Sequence, residues 1–265
     1  MASHRAKKRF GQNFLVDDSV IHSLVNDIGP QHDDRILEIG PGLGAITLPL
    51  LARVTQLEVI EIDRDLIARW HARNLEQLTI HECDALQFDF CAGVSVDADA
   101  RPRRLVGNLP YNISTPLIFH VLEQADAVQD MHFMLQKEVV DRLCASCGER
   151  QYGRLAVMVQ SRCQTQKLLE IPAESFSPAP KVTSAFVRLE PLSEPKVPAT
   201  IQGLFARLVQ QAFAQPRKTI ANNLREQLSA DALTKLEIDP SLRPQSISIE
   251  QLIRITQQLS NTAPD

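Results

Sequence analysis

Short apolar runs recur along the first 170 residues, and most are followed by a stretch with helical spacing. Residues 35–39 read as a buried strand, followed by a glycine turn and a helical stretch at 45–53. A second strand at 57–62 leads into a helix at 64–74. Third, fourth and fifth strands fall at 78–81, 104–107 and 131–135, the last before a helix at 137–145. Strand–helix alternation of this kind predicts an α/β fold, a parallel sheet with helices on both faces. Residues 165–171 and 184–189 instead alternate apolar and polar, as late strands on an antiparallel edge do. Three prolines, Pro191, Pro195 and Pro198, then mark a linker. Beyond it the spacing is helical throughout, at 201–214, 218–228, 230–236 and 248–259. The last of these opens on Ser248-Ile249-Glu250-Gln251, close to a capping box. The expected organisation is a domain at 1–192 and a small all-α domain at 193–265.

Composition narrows this picture without deciding it. The chain has 265 residues, 44% of them hydrophobic, enough for one α/β core and a small second domain. No apolar stretch approaches the roughly 20 residues that span a bilayer, so a cytoplasmic protein with no membrane partner is expected. Five irregularly spaced cysteines do not form a disulfide framework. Cys144 and Cys147 make a lone C-x-x-C with no second pair and no nearby histidine, and no metal site is expected.

The net charge of −4 hides a partition. Residues 17–99 carry sixteen acidic side chains against five basic ones. Residues 1–16 carry Arg5, Lys7, Lys8 and Arg9 and no acid, and 195–225 carry five basic residues and no acid. One part suits a cationic small molecule and the rest a polyanion such as RNA, with Arg217 and Lys218 the candidate contacts in the helical part.

Two motifs carry the chemistry. The turn Glu38-Ile39-Gly40-Pro41-Gly42-Leu43-Gly44 follows the first strand. Its glycines are one residue tighter than the dinucleotide fingerprint, which suits a nucleoside cofactor without phosphates. Glu61, 21 residues after Gly40 at the end of the second strand, is placed to chelate two ribose hydroxyls. Asp84, after the third strand, is placed to accept from an adenine amine. S-adenosyl-L-methionine fits this series, with its sulfonium matched to the acidic half and S-adenosyl-L-homocysteine as product. The second motif, Asn108-Leu109-Pro110-Tyr111, follows the fourth strand. It offers an amide acceptor, a backbone carbonyl beside proline, and an aromatic face, the parts needed to grip an exocyclic amine.

With these motifs the chain resembles the ribosomal RNA adenine N6-dimethyltransferase family, and most of all its bacterial small-subunit (16S) members. Lys8-Arg9-Phe10-Gly11-Gln12-Asn13-Phe14-Leu15 resembles the family's N-terminal signature, and Gln136-Lys137-Glu138 and Tyr152-Gly153-Arg154-Leu155 match as well. Phe176-Ser177-Pro178-Ala179-Pro180-Lys181-Val182-Thr183-Ser184 resembles its late loop, and Ala212-Phe213-Ala214-Gln215-Pro216-Arg217-Lys218-Thr219 its basic C-terminal helix. Pro216 stands where a second arginine is usual, and Cys147 where proline is frequent. The resemblance implies a Rossmann-like class I methyltransferase sheet. It adds Asn13 and Leu15 to Gly40, Gly42, Gly44, Glu61, Asp84 and Asn108 as cofactor residues, and implies that Phe176 faces the target base opposite Tyr111. It also implies an enzyme that modifies two adjacent adenosines in a hairpin loop near the 3′ end of 16S rRNA during small-subunit assembly; a monomer is the default expectation. Three alternatives share much of this: a DNA adenine methyltransferase, a resistance-type enzyme acting on 23S RNA, and a non-catalytic ribosome assembly factor.

Overall fold

A computed structural model describes residue 7 and residues 11–92 and 101–262. Arg5, Lys8 and Arg9 lie outside the described residues. In chain order the elements are β1 (Phe14–Leu15), α1 (Asp18–Ile28), β2 (Ile36–Ile39), α2 (Thr47–Leu51), β3 (Leu57–Glu61), α3 (Arg64–His71), β4 (Leu78–Glu82) and β5 (Arg103–Asn108). There follow α4 (Ser114–Glu123), β6 (Val128–Gln136), α5 (Lys137–Leu143), α6 (Arg154–Gln160), β7 (Cys163–Ile171), β8 (Phe176–Ser177) and β9 (Ser184–Pro191). The chain ends in α7 (Gln202–Ala212), α8 (Ile220–Leu224), α9 (Ala230–Lys235) and α10 (Ile249–Thr262).

Seven strands form one sheet in the order β4-β3-β2-β5-β6-β9-β7. The strands from β4 to β6 are parallel, and β9 runs antiparallel to β6. From β2 the chain winds outward through β3 and β4, then returns to place β5 on the other side of β2. The order therefore reverses between β2 and β5, where Ile39 pairs with Gly107. A crevice opens at the carboxyl ends of strands at such a reversal, and it is the usual ligand position in this architecture. Inward side chains of β2, β3 and β5 pack with Leu24, Val25 and Phe186 in one apolar core.

Arg104 fastens the buried end of these strands. Its Nε and Nη2 donate to the two carboxylate oxygens of Asp130 at 2.9 Å each, and Nη1 donates to Asp34 at 2.7 Å. A guanidinium buried this deeply is tolerated because every face of it meets a carboxylate or a carbonyl, such as that of Ile28.

The sequence leaves three helices unread. In α1 the buried positions Ile21, Leu24, Val25 and Ile28 follow helical spacing, Asp17 caps the start through Ser19 and Val20, and Gly29 in the left-handed region ends it. The helices α4 and α6 are short and apolar, and short apolar runs do not declare their period.

The chain divides into two compact units, Met1–Val140 with Gln166–Pro191, and Asp141–Thr165 with Leu192–Asp265. The single boundary expected after residue 192 therefore becomes three, because 141–165 groups with the helical remainder. Within that second unit Val157 shares a core with Phe205, Leu208, Leu224 and Ile255. The proline-rich segment is no free tether either, since Leu192 and Lys196 donate backbone hydrogen bonds to Arg162 and Ser161. The helix α10 begins with a full capping box: Ser248 Oγ accepts from the Gln251 N–H and Gln251 Oε1 accepts from the Ser248 N–H. No helix among the described residues is long and apolar enough to cross a membrane.

Candidate active site

The crevice at the strand reversal is a cleft walled by Gly40, Gly42, Glu61, Asp84, Asn108 and Tyr111, with Leu109 and Pro110 beside them. Residues 11–14 form a further wall. Each acid sits where a parallel strand ends, so the sheet register itself sets their spacing. Ile39 is flanked by Ile60 and Gly107, which puts Glu61 and Asn108 one step beyond that row on either side of Gly40.

The glycine turn divides its work. Gly40 and Gly42 adopt positive φ, and a Cβ on Gly40 would meet nothing within 4 Å, so its backbone is bare toward the cleft. A Cβ on Gly42 would stand 3.2 Å from the Phe14 ring. Gly44 does not line the cleft. A Cβ there would come within 2.8 Å of the Trp70 ring, so this glycine serves the close packing of α3 under the turn. Trp70 completes that contact by donating from Nε1 to the Gly42 carbonyl at 3.1 Å.

The cleft is acidic. Glu61 is buried, and burial raises its carboxyl above the usual range, opposed by N–H donation from Asp63 and Ile62 to Oε1, each at 2.9 Å. Glu38, beneath the turn in an adjoining recess, is raised further, to about 7, by complete burial with the charge of Glu61 adding to it. Its Oε2 has no hydrogen-bond partner among the described residues. Asp84 caps a short turn, with Oδ1 accepting from the Leu86 N–H at 3.0 Å. Two carboxylates in an apolar-walled pocket favour a ligand that brings positive charge and hydroxyl donors.

Opposite these acids, Asn108 Nδ2 donates to the Asn13 carbonyl at 3.0 Å, which fixes the amide plane. Its Oδ1 accepts from no donor among the described residues. The Leu109 N–H is taken by the Met134 carbonyl at 3.1 Å, whereas its own carbonyl accepts nothing among the described residues. Two adjacent acceptors are therefore open on one wall. Tyr111 is held by a 3.1 Å contact between its hydroxyl and Ser184 Oγ.

Other expected residues also stand elsewhere. Phe176 is 4% exposed and packs in the core, paired through its backbone with Leu15 across the β1–β8 ribbon, and it does not line the cleft. Leu15 touches only the adjoining recess. Lys7, expected to face RNA phosphates, is ion-paired with Asp63 and Asp65. Arg217 and Lys218, expected on a basic helix, lie instead in the second unit on the exposed loop between α7 and α8, after Pro216. Sequence reading missed Phe14 and Ile62 on the cleft wall. Ile62 is 48% exposed, and the signal for it is an apolar residue directly after a strand-ending acid.

The ribosomal RNA adenine dimethylase family model matches residues 3–261. The chain is 52% identical to ribosomal RNA small subunit methyltransferase A of Chromohalobacter salexigens, covering 99% of this chain and 94% of that one. It is 50% identical to the protein of that name in Dechloromonas aromatica, covering 98% and 100%. Among solved structures, a dimethyladenosine transferase from Plasmodium falciparum superposes with a TM-score of 0.77 at 22% identity, covering 94% of this chain and 98% of that one. The 23S rRNA methyltransferase ErmE superposes with a TM-score of 0.72 at 23% identity, covering 94% and 100%. These two likenesses establish a shared class I methyltransferase fold. The extent of the sequence match, with the acids and the open acceptors in one cleft, places this chain in the ribosomal RNA adenine dimethylase family.

Proposed function

We propose that this protein transfers methyl groups from S-adenosyl-L-methionine to N6 of adenosines in 16S rRNA, giving N6,N6-dimethyladenosine during small-subunit assembly in the cytoplasm. The observation that carries this reading is the pair of open acceptors, Asn108 Oδ1 and the Leu109 carbonyl, on the wall of an acidic cleft.

The residues present fit the cofactor. Glu61 would hold its ribose hydroxyls and Asp84 its adenine amine. Bare Gly40 admits its backbone-hugging tail, and the acidic lining suits its cationic end. When bound it supplies a methyl group already activated on a sulfonium. What the chain must supply is a usable lone pair, because N6 of adenine is delocalised into the ring. Asn108 Oδ1 and the Leu109 carbonyl would accept from the two N–H groups of N6, drawing it toward tetrahedral geometry and aiming its lone pair. The Asn13 carbonyl keeps the acceptor end of Asn108 turned inward by holding its Nδ2. Tyr111 would stack on the extruded base, an interaction of roughly 1–3 kcal/mol. Phe176 can serve as the second face only if the β1–β8 ribbon shifts to uncover it.

The small-subunit choice follows the curated relatives at about half identity, whose names specify the small subunit. The RNA is assigned to Arg217 and Lys218 on the exposed loop of the second unit. The test is methylation of small subunits from a strain lacking the modification, with the labelled nucleoside identified by mass spectrometry. Dimethyladenosine in 16S rRNA is expected. Label in 23S RNA or DNA alone would overturn the reading.

A further inference from the structure

Residues 11–14 wall the cleft, yet their place in the fold is thinly supported, since β1 is a two-residue strand. Among the described residues, a buried carboxylate holds them on the N-terminal side. Asp63 is 1% exposed. Gln12 Nε2 donates to Asp63 Oδ2 at 2.9 Å, and Lys7 Nζ pairs with Asp63 Oδ1 and with Asp65. The Lys7 N–H donates to Gln12 Oε1 at 2.8 Å, closing a small ring of bonds. On its other side Asp63 caps α3 through the Asp65 N–H and donates its own N–H to Glu61 Oε1. One residue thus joins the N-terminal wall to the carboxylate at the end of β3.

We propose that Lys7 and Asp63, bridged by Gln12, form a latch that holds residues 11–14 against the cofactor, and are positioning residues for its retention. The proposal rests on reading the cleft as the S-adenosylmethionine site. Three features support it. A carboxylate this buried is costly to leave unpaired, so the latch is closed strongly. Burial alone would raise Asp63, yet the bonds from Lys7 and Gln12 outweigh it and hold the carboxyl below its usual range. The wall that the latch secures also carries the Asn13 carbonyl, which orients Asn108, and the Phe14 ring, which lies against Gly42. The charge of Lys7 is thereby assigned to the cofactor side of the protein rather than to RNA phosphates.

The test is calorimetric binding of S-adenosylhomocysteine to the full chain without RNA, for the parent, Lys7→Ala, Asp63→Asn and the double variant. Asparagine keeps the helix cap at position 63, and Lys7 is partly exposed, so each variant is expected to fold. Either single change is expected to weaken binding by about tenfold (~1.4 kcal/mol). The double variant should be little worse than either one, and Lys7→Arg should restore most of the affinity. The salt dependence of RNA binding should be unchanged in Lys7→Ala. Parent-like affinity in both single variants, or full additivity in the double variant, would overturn the latch alone. A parent that binds no S-adenosylhomocysteine would overturn the cofactor reading and the latch together. A flattened RNA salt slope with unaltered cofactor affinity would return Lys7 to the phosphates.

Discussion

Two asparagines, one in each compact unit, show how the same side chain serves opposite ends. Asn223 is 6% exposed and saturated: Nδ2 donates to the Gln215 carbonyl at 3.1 Å and the Thr219 carbonyl at 3.1 Å, with Lys218 at 3.4 Å, while Oδ1 accepts from the Gln215 N–H at 3.1 Å. It folds the loop that presents Arg217 and Lys218. Asn108 makes one side-chain bond and keeps its acceptor open at a cleft. A saturated amide builds structure; an amide left half-satisfied at a cleft can serve a ligand. The same contrast separates the carboxylates. Asp130 has both oxygens on Arg104, whereas Glu38 keeps an oxygen without a partner among the described residues.

The largest effect should come from breaking the contrast at its open end. Asn108→Ala removes the acceptor proposed for N6 and is expected to lower the rate of transfer by about 10²–10³-fold. Its melting temperature should stay within a few degrees of the parent. Asn223→Ala should do the reverse, destabilising the second unit by roughly 2–3 kcal/mol through the backbone groups it strands. Chemical denaturation reads that loss. Surface changes on the same loop sharpen the point: Arg217→Ala with Lys218→Ala should leave stability alone and flatten the salt dependence of RNA affinity. The slope should fall by roughly 0.7–0.9 log–log units per lost phosphate contact.

Glu61→Ala tests whether the acids hold the cofactor in the same way before and during transfer. The cofactor KM should rise about tenfold or more while saturated turnover stays near that of the parent. An unchanged KM would sink the assignment. The smallest effect concerns Glu38. Its folded-state value of about 7 lies above the ordinary carboxyl range, so the folded protein holds a proton that the unfolded chain releases. Its contribution to stability is therefore full at acidic pH and is lost as pH rises from about 4.5 through 7, by at most ~1.4 kcal/mol per pH unit. Glu38→Gln should remove that part of the slope, measured by denaturation between pH 5 and 8. An identical pH profile in the variant would show that Glu38 is not held protonated.

The sheet is legible because its inner parallel strands are compact apolar runs, its late strands alternate, and the glycine turn and Asn108 motif sit at strand ends, where the register fixes them. The reversal of strand order between β2 and β5 was not legible, since no local pattern records which strand pairs with which. Yet it is this reversal that brings Glu61 and Asn108 together around Gly40. Gly44 illustrates a different limit. Its place in the motif suggests the cofactor, but the ring of Trp70, distant in sequence, decides what the glycine is for. Lys7 and Phe176 fail for a related reason. A charge or a ring has a preferred environment but no address, and Asp63 and the β1–β8 ribbon supply those addresses only in three dimensions. The grouping of 141–165 with the helical unit was likewise hidden, because a proline-rich stretch marks one boundary and nothing in composition marks the other two.

The claim that the open acceptor of Asn108 serves transfer rather than cofactor capture is tested most directly by two measurements on one preparation of Asn108→Ala. They are calorimetric affinity for S-adenosylhomocysteine, and turnover on unmethylated small subunits at saturating cofactor. The hydrogen bond strengthens as N6 becomes tetrahedral, so turnover should fall at least tenfold further than affinity. Equal losses in the two quantities would contradict the account.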